Sequence, residues 1–111
     1  MADLNLEEFE RQIRKICASS SIVENIILFA PTETSNLWRV TLIDNSFVDV
    51  YYSETKSKTS FAHIRNEKRI FGADNAGGWH WHPVESPDSH VVSEAEITFG
   101  EFLKKLEESF K

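Results

Sequence analysis

The chain has 111 residues, of which 41% are hydrophobic and 27% charged, and its net charge is -6. These values predict one folded domain over residues 1–111, exclude wholesale disorder and argue against a strongly basic nucleic-acid binder. The longest apolar run is too short to cross a membrane, and the N-terminus lacks the basic and apolar pattern of a signal peptide. The single cysteine, Cys17, can form neither an intramolecular disulfide nor a multi-thiolate zinc site. We therefore expect a soluble, cytoplasmic protein with no membrane partner.

An amphipathic helix is predicted near the N-terminus. Four apolar residues recur there at intervals of three and four, as on one face of a helix: Leu6, Phe9, Ile13 and Ile16. Asn5 and Glu8 have the spacing of a capping box, so we expect the helix to begin after Asn5. The serine run at residues 19–21 should end it. Cys17 lies beside the apolar face, which indicates a small buried hydrophobe rather than a reactive thiol.

Residues 22 to 73 are predicted to form antiparallel strands. Runs rich in β-branched and aromatic residues alternate with polar turns, of which Asp44-Asn45-Ser46 is typical of a hairpin. The runs cover residues 22–30, 37–43, 47–53, 59–65 and 68–73. Four or five short strands joined in this way indicate a β-meander. His63 lies on the fourth run, where we expect a partly buried and hydrogen-bonded side chain.

The C-terminal residues return to helical spacing. Thr98 and Glu101 form a second capping box. Five apolar residues then line one face of the predicted helix: Phe99, Phe102, Leu103, Leu106 and Phe110. Because a sheet and a helix each bury one apolar side, both terminal helices should pack on the meander. The predicted fold class is therefore α+β, with a two-layer architecture in which an antiparallel β-meander of four to five strands packs against N- and C-terminal helices.

The segment between the last strand and the second helix, residues 75–94, is rich in glycine and proline, and we predict an irregular loop. Loops of this length in a small domain are usually functional. The segment contains three of the four histidines: His80, His82 and His90. In extended backbone, alternate residues project to the same side. His80 and His82 should therefore share one space, while Trp79 and Trp81 face the other side.

Three interpretations of this histidine cluster remain open. In the first, His80, His82 and His90 bind a divalent metal and leave one coordination position open. A carboxylate is an alternative third ligand, and the candidates are Asp74, Glu85 and Asp88. In the second, two imidazoles act without a metal as general base and general acid, while Arg65 or Arg69 stabilises the developing anionic charge. In the third, the histidines only hydrogen-bond to backbone carbonyls.

A cationic segment lies within the predicted strands. Between Thr55 and Phe71 the chain carries five basic residues and one acidic residue, whereas the remainder is strongly acidic. Four of these bases are candidates for binding the phosphates of a nucleic acid: Lys58, Arg65, Lys68 and Arg69. The alternative is a solvated hairpin whose lysines discourage pairing at a sheet edge.

A second pattern links the end of the last predicted strand to the histidine loop. The run Arg69-Ile70-Phe71-Gly72-Ala73-Asp74-Asn75-Ala76 is followed by His82-Pro83, and then by Pro87 and His90-Val91. This pattern and the order of the predicted elements resemble the TumE family, the toxin component of prokaryotic toxin-antitoxin pairs. Carried over by position, the resemblance marks five residues: Asp74, Asn75, His82, Pro83 and His90. The chain differs from the family pattern in having His80-Trp81-His82 in place of adjacent histidines.

The resemblance implies a toxin-like protein whose partner is a cognate antitoxin. Our leading hypothesis is a nuclease or phosphodiesterase acting on RNA or nucleotides, with His80, His82 and Asp74 as catalytic residues. In its metal-dependent version, His80, His82 and His90 bind a divalent metal. The alternative hypothesis is a non-enzymatic interaction module that docks a partner protein through exposed tryptophans of the loop. Sheet edges that pair across a two-fold axis would give a homodimer.

Overall fold

The computed structural model describes residues 4–84 and 89–110, which form one antiparallel sheet with two helices. The elements in chain order are α1 (Leu6–Ala18), β1 (Val23–Leu28), β2 (Ser35–Leu42), β3 (Phe47–Ser53), β4 (Lys58–Arg65), β5 (Lys68–Asp74), β6 (His80–His82), β7 (Val91–Val92) and α2 (Phe99–Ser109). The strands lie in the sheet in the order of the chain, as in a simple meander. The predicted two-layer α+β fold is confirmed. The predicted strand number is too low, because β6 and β7 lie in the segment that we expected to be irregular.

Both helices begin where the sequence predicts. The Asn5 side chain accepts a hydrogen bond from the Glu8 N–H at 2.8 Å, and Thr98 Oγ1 accepts one from the Glu101 N–H at 3.1 Å. These bonds satisfy backbone donors that the first helical turn leaves unpaired. Cys17 is buried in α1, and this burial raises the pKa of its thiol to about 11 against the opposing charge of Arg14. Within the described ranges, neither helix is long and apolar enough to cross a membrane.

The core lies between the helices and one face of the sheet. Burial alternates residue by residue along β2 and β3, as expected for strands with one covered face. The buried hydrophobic side chains of the sheet are Trp38, Val40, Leu42, Val48, Val50, Tyr52, Phe61, Phe71 and Ala73. From α1, Phe9 stacks on Tyr52 with ring centroids 4.1 Å apart, and from α2, Phe102 stacks on Phe71 at 5.0 Å.

The other face of the sheet, which we call the open face, carries two straight rows of side chains. The register between neighbouring strands aligns the first row as Leu37, Tyr51, Ser60, Asp74, His80 and Val92. The second row consists of Arg39, Asp49, Ala62, Gly72 and His82. The histidines of β6 therefore stand opposite Asp74 and Gly72 of β5, His82 at the end of the second row and His80 next to the last residue of the first.

His63 belongs to the covered face and has a structural environment. It is only 2% exposed, and its Nε2 lies 2.9 Å from Ser46 Oγ. Ser46 also bonds to Asp44, which forms an ion pair with Arg65. Burial and the charge of Arg65 lower the pKa of His63 to about 4, although Asp44 acts in the opposite direction. The predicted hydrogen bond is confirmed, but the side chain is fully rather than partly buried, and its contacts show that His63 joins β4 to the β2–β3 turn.

Candidate metal centre

A β-hairpin positions the histidine pair. Strand β6 pairs with β5 so that His80 lies opposite Asp74 and His82 lies opposite Gly72. The turn between the strands contains Gly77 and Gly78 with φ of 69° and 108°, a backbone region that favours glycine. The expected extended backbone at His80 and His82 is therefore present, and its partner is the strand that ends in Asp74.

The two faces of β6 separate the histidines from the tryptophans, as predicted. Trp79 stacks on Phe61 with ring centroids 6.2 Å apart, and Trp81 stacks on Phe71 at 5.6 Å. Both indoles are half-buried against the core. The alternative hypothesis required exposed indoles, whereas the covered face of the sheet supplies aromatic partners for both. The interaction hypothesis thereby loses the exposed anchors on which it depended.

Three imidazoles meet on the open face. The ring centroids of His80 and His82 are 4.8 Å apart, and those of His90 lie 4.6 and 4.7 Å from the first two. One nitrogen from each ring lies within 4.8 Å of the other two. Nitrogens bound tetrahedrally to zinc at about 2.1 Å are roughly 3.4 Å apart. Binding of one ion would therefore require the three nitrogens to approach one another by up to about 1.4 Å, and of the three residues only His90 is exposed.

Asp74 connects the two buried histidines. Its Oδ1 lies 3.2 Å from His80 Nε2, and its Oδ2 lies 3.0 Å from His82 Nε2. Burial alone would raise the pKa of Asp74. The hydrogen bonds from His82 and from the Ala76 N–H, together with the charges of the two imidazoles, instead hold the pKa below its usual value. Asp74 is therefore a carboxylate that orients both rings.

The hydrogen bonds of His82 leave one of its two ring nitrogens, Nδ1, without a partner among the described residues. A carboxylate only accepts hydrogen bonds, so His82 Nε2 carries the proton that is donated to Asp74. In the neutral ring, Nδ1 then carries no proton and offers a lone pair. This atom is buried without a hydrogen-bond partner in the described part of the chain. A buried polar atom without a partner costs about 1–3 kcal/mol, which a ligand at this position would remove.

The contacts of His80 indicate that a positive charge belongs between its ring and Asp74. Its Nδ1 lies 3.0 Å from the Gly78 carbonyl oxygen, which requires the proton on Nδ1. A neutral His80 would then direct the Nε2 lone pair at Asp74 Oδ1. Two acceptors in contact repel each other, so this contact needs either a second proton on the ring or a cation that both groups bind. Metal-binding histidines commonly donate their other ring N–H to a carbonyl or a carboxylate, as His80 and His82 do here.

A cavity of about 600 Å³ opens beside the cluster and gives a ligand access to it. Its lining includes Arg69, Asp74 and the three histidines. The side chain of Arg69 crosses the open face above Gly72. If Gly72 were replaced by a residue with a Cβ, that atom would lie 3.3 Å from Arg69 Cδ and 3.7 Å from His82 Cδ2. It would also lie 3.1 Å from the Phe61 carbonyl oxygen. Gly72 therefore provides the space in which Arg69 and His82 approach each other.

The predicted phosphate-binding bases do not form one surface. Lys58 begins β4 and Arg65 ends it, so they are about 23 Å apart along the strand. Arg65 is paired with Asp44, and Lys68 lies opposite Arg65 at that same end of the sheet. Only Arg69 lines the histidine cavity. Strand direction thus separates Lys58 from the other three candidate bases, which lie near one another at the far end of β4.

Sequence reasoning found the three histidines and Asp74 but missed two parts of the site. Gly72 was not singled out, although an isolated glycine within a strand often marks a close approach of another group. The Gly78 carbonyl, which orients His80, leaves no signal in the sequence. The alternative carboxylate ligands, Glu85 and Asp88, lie outside the described residues, as does Pro87 of the family pattern.

Comparisons of the chain with family models, with curated proteins and with solved structures give no match. The functional argument therefore rests on the geometry of the site, and the resemblance to the TumE family stays a prediction.

Proposed function

We propose that this chain is a metal-dependent phosphodiesterase that acts on RNA or nucleotides. Two observations carry the proposal: His80, His82 and His90 each bring one ring nitrogen within 4.8 Å of the other two, and the buried Nδ1 of His82 has no hydrogen-bond partner among the described residues. Imidazole suits zinc and other divalent metals of the first transition row. Three protein ligands with a fourth position open are typical of catalytic rather than structural zinc sites.

The position of each residue in the site indicates its role in the proposed reaction. His80 Nε2, His82 Nδ1 and His90 would hold the metal, and Asp74 and the Gly78 carbonyl fix the orientation of the two buried rings. A bound zinc ion lowers the pKa of water to about 7, which supplies a nucleophile at neutral pH. Arg69 lines the same cavity and would bind a non-bridging phosphate oxygen. Hydrolysis then adds the water oxygen to phosphorus and breaks one P–O ester bond, and the leaving oxygen takes up a proton.

Metal-free acid–base chemistry by the same histidines is the competing mechanism. A histidine with a carboxylate behind it is also the arrangement of a general base. The Nδ1 of His82 lacks a hydrogen-bond donor, and His80 Nε2 lies in contact with the carboxylate of Asp74. Both observations favour the metal-dependent mechanism, because each of these groups can interact with a cation. Activity that persists after complete chelation and is insensitive to added zinc would assign the reaction to the metal-free mechanism.

The test uses full-length protein purified without a histidine tag. We expect titration calorimetry to show one Zn²⁺ per chain and zinc-dependent hydrolysis of a simple phosphodiester. His90→Gln is the most informative variant, because His90 is exposed and its loss should not affect folding. This variant should lose zinc affinity and activity together, whereas Lys68→Gln, at an exposed position away from the cavity, should keep both. Equal zinc affinity of the His90→Gln variant and the wild type would contradict the proposal.

We also propose a biological role as a toxin of a toxin-antitoxin pair in the cytoplasm. The support is the resemblance of the strand β5 run and the histidine loop to the TumE family, in which Asp74, His82 and His90 occupy marked positions. Expression of the wild type should inhibit growth, and the His90→Gln variant should not. Co-expression with a protein encoded by the adjacent gene should relieve inhibition. Equal growth inhibition by the wild type and the His90→Gln variant would show that toxicity does not depend on the histidine site.

A further inference from the structure

A cleft of about 350 Å³ opens on the covered side of the sheet, away from the three histidines. One side of α1 and the start of α2 form its walls, and residues of β3 and β4 lie beneath them. Its volume is near the lower end of the range of cavities that hold small organic ligands. The cleft therefore has room for a ligand of about one ring, and such a ligand would not touch the proposed metal centre.

Aromatic side chains dominate the lining of the cleft. Five aromatic residues take part: Phe9, Tyr52, Phe61, Trp79 and Phe99. Phe9 lies almost parallel to Tyr52, with 5° between the ring planes. The ring centroid of Phe61 is 6.2 Å from that of Trp79 and 5.7 Å from that of Phe99. Aromatic rings stack with planar ligands, and their faces attract cations. The lining therefore suits a ligand that contains a planar ring.

Glu96 gives the cleft its charge. It is the one side chain charged at neutral pH among the described residues that line the cleft. Glu96 is exposed, and its carboxylate has neither a hydrogen bond nor an ion pair with any described residue. An unpaired carboxylate beside aromatic faces attracts a cation and repels an anion. The charge of the cleft therefore favours a cationic ligand.

Other polar groups of the cleft are already bonded within the protein. The side chain of Asn75 accepts a hydrogen bond from the Thr59 N–H and donates one to the Ser57 carbonyl oxygen. The hydroxyl of Tyr52 donates to a backbone carbonyl near the N-terminus. Because these groups are engaged, Glu96 is the charged group left to orient a ligand.

We infer that the cleft binds a small organic cation with one aromatic ring, whose ring lies among the five aromatic side chains and whose ammonium group pairs with Glu96. The inference goes beyond the proposed function, since neither the histidines nor a metal takes part. It combines three observations on the same cleft: its volume, its aromatic lining and its single uncompensated charge.

The start of α2 suggests two alternatives that the test must separate. The N-terminus of a helix attracts anions, although two of its N–H groups, those of Glu101 and Phe102, are already bonded to Thr98. A negative charge just before a helix also stabilises it, which is a purely structural role for Glu96. In that role, Glu96→Gln would lower the stability of the protein without changing its preference among ligands.

The experiment compares three probes that share a phenyl ring and differ in charge: phenethylamine, the neutral phenethyl alcohol and the anionic hydrocinnamate. NMR titration of the isotope-labelled, full-length protein follows the indole N–H of Trp79. The wild type should bind the amine about 5-fold more tightly than the alcohol, the strength of one exposed ion pair, and the anion most weakly. Glu96→Gln should bind the amine and the alcohol equally. Glu94→Gln, at an exposed position outside the cleft, should keep the preference.

A second pair of variants tests where the probe binds. Gln12 lies on the exposed side of α1 and lines the cleft, so Gln12→Trp should block the binding of phenethylamine. Arg11→Trp makes the same replacement at a neighbouring exposed position outside the cleft and should bind like the wild type. Equal affinity of the wild type for amine and alcohol, tighter binding of hydrocinnamate, or no saturable binding would each overturn the inference. Amine binding that persists in Gln12→Trp would overturn it as well, because the probe would then bind elsewhere.

Discussion

The pH dependence of folding provides a direct test of the buried His63. This side chain is 2% exposed, and its pKa of about 4 lies well below the value of 6.5 for an unperturbed histidine. Between these values the unfolded chain binds a proton that the folded protein does not bind. The contribution is therefore complete above about pH 6.5 and is lost as the pH falls toward 4. At 1.36 kcal/mol per pH unit, the full difference is about 3 kcal/mol.

Urea unfolding of the wild type and of His63→Gln, in chelator and at about pH 7.5 and about pH 5, isolates this contribution. Glutamine retains a partner for Ser46 but does not titrate. Over this range the free energy of unfolding of the wild type should fall by about 2 kcal/mol more than that of the variant. The other three histidines are present in both proteins, so their effects cancel in the comparison. The same pH dependence in both proteins would refute the assignment of a buried, neutral His63.

Three further variants test the site. Asp74→Asn should reduce zinc affinity by about 10- to 100-fold in calorimetry, since it weakens the group that orients two ligands, and unchanged affinity would exclude that role. Gly72→Ala should lower the free energy of unfolding by about 1–3 kcal/mol in urea, because its Cβ would lie 3.1 Å from the Phe61 carbonyl oxygen. Gly100→Ala, whose Cβ meets no atom closer than 3.7 Å, is the control and should not destabilise the protein. Arg69→Gln should reduce the salt dependence of RNA binding by about 0.7 in the slope of log K against log salt, whereas Arg65→Gln should leave the slope unchanged.

The parts of the fold that sequence reasoning predicted are those set by local interactions. Both helix starts follow from a capping residue and a charged residue three positions later, and the structure contains both capping bonds. The shared side of His80 and His82 follows from the period of two of an extended chain. These patterns need no information about distant parts of the molecule.

The parts that it missed depend on pairing between segments. Strand β6 has three residues, too few for a reliable pattern, and it forms because β5 offers an edge that the Gly77–Gly78 turn can reach. The position of Asp74 opposite His80 is a consequence of that register. The half-buried state of Trp81 depends on Phe71. The ion pair of Arg65 depends on Asp44, a residue 21 positions away in sequence.

The proposed metal centre is the claim on which the enzymatic account depends, and a structure of the zinc-loaded protein tests it most directly. Anomalous diffraction at the zinc edge should locate one ion bound by nitrogens of His80, His82 and His90 at about 2.1 Å, with a fourth position facing the cavity. The ligand atom of His82 should be Nδ1, while its Nε2 remains bonded to Asp74. Zinc located elsewhere, or bound by fewer than two of these imidazoles, would contradict the account.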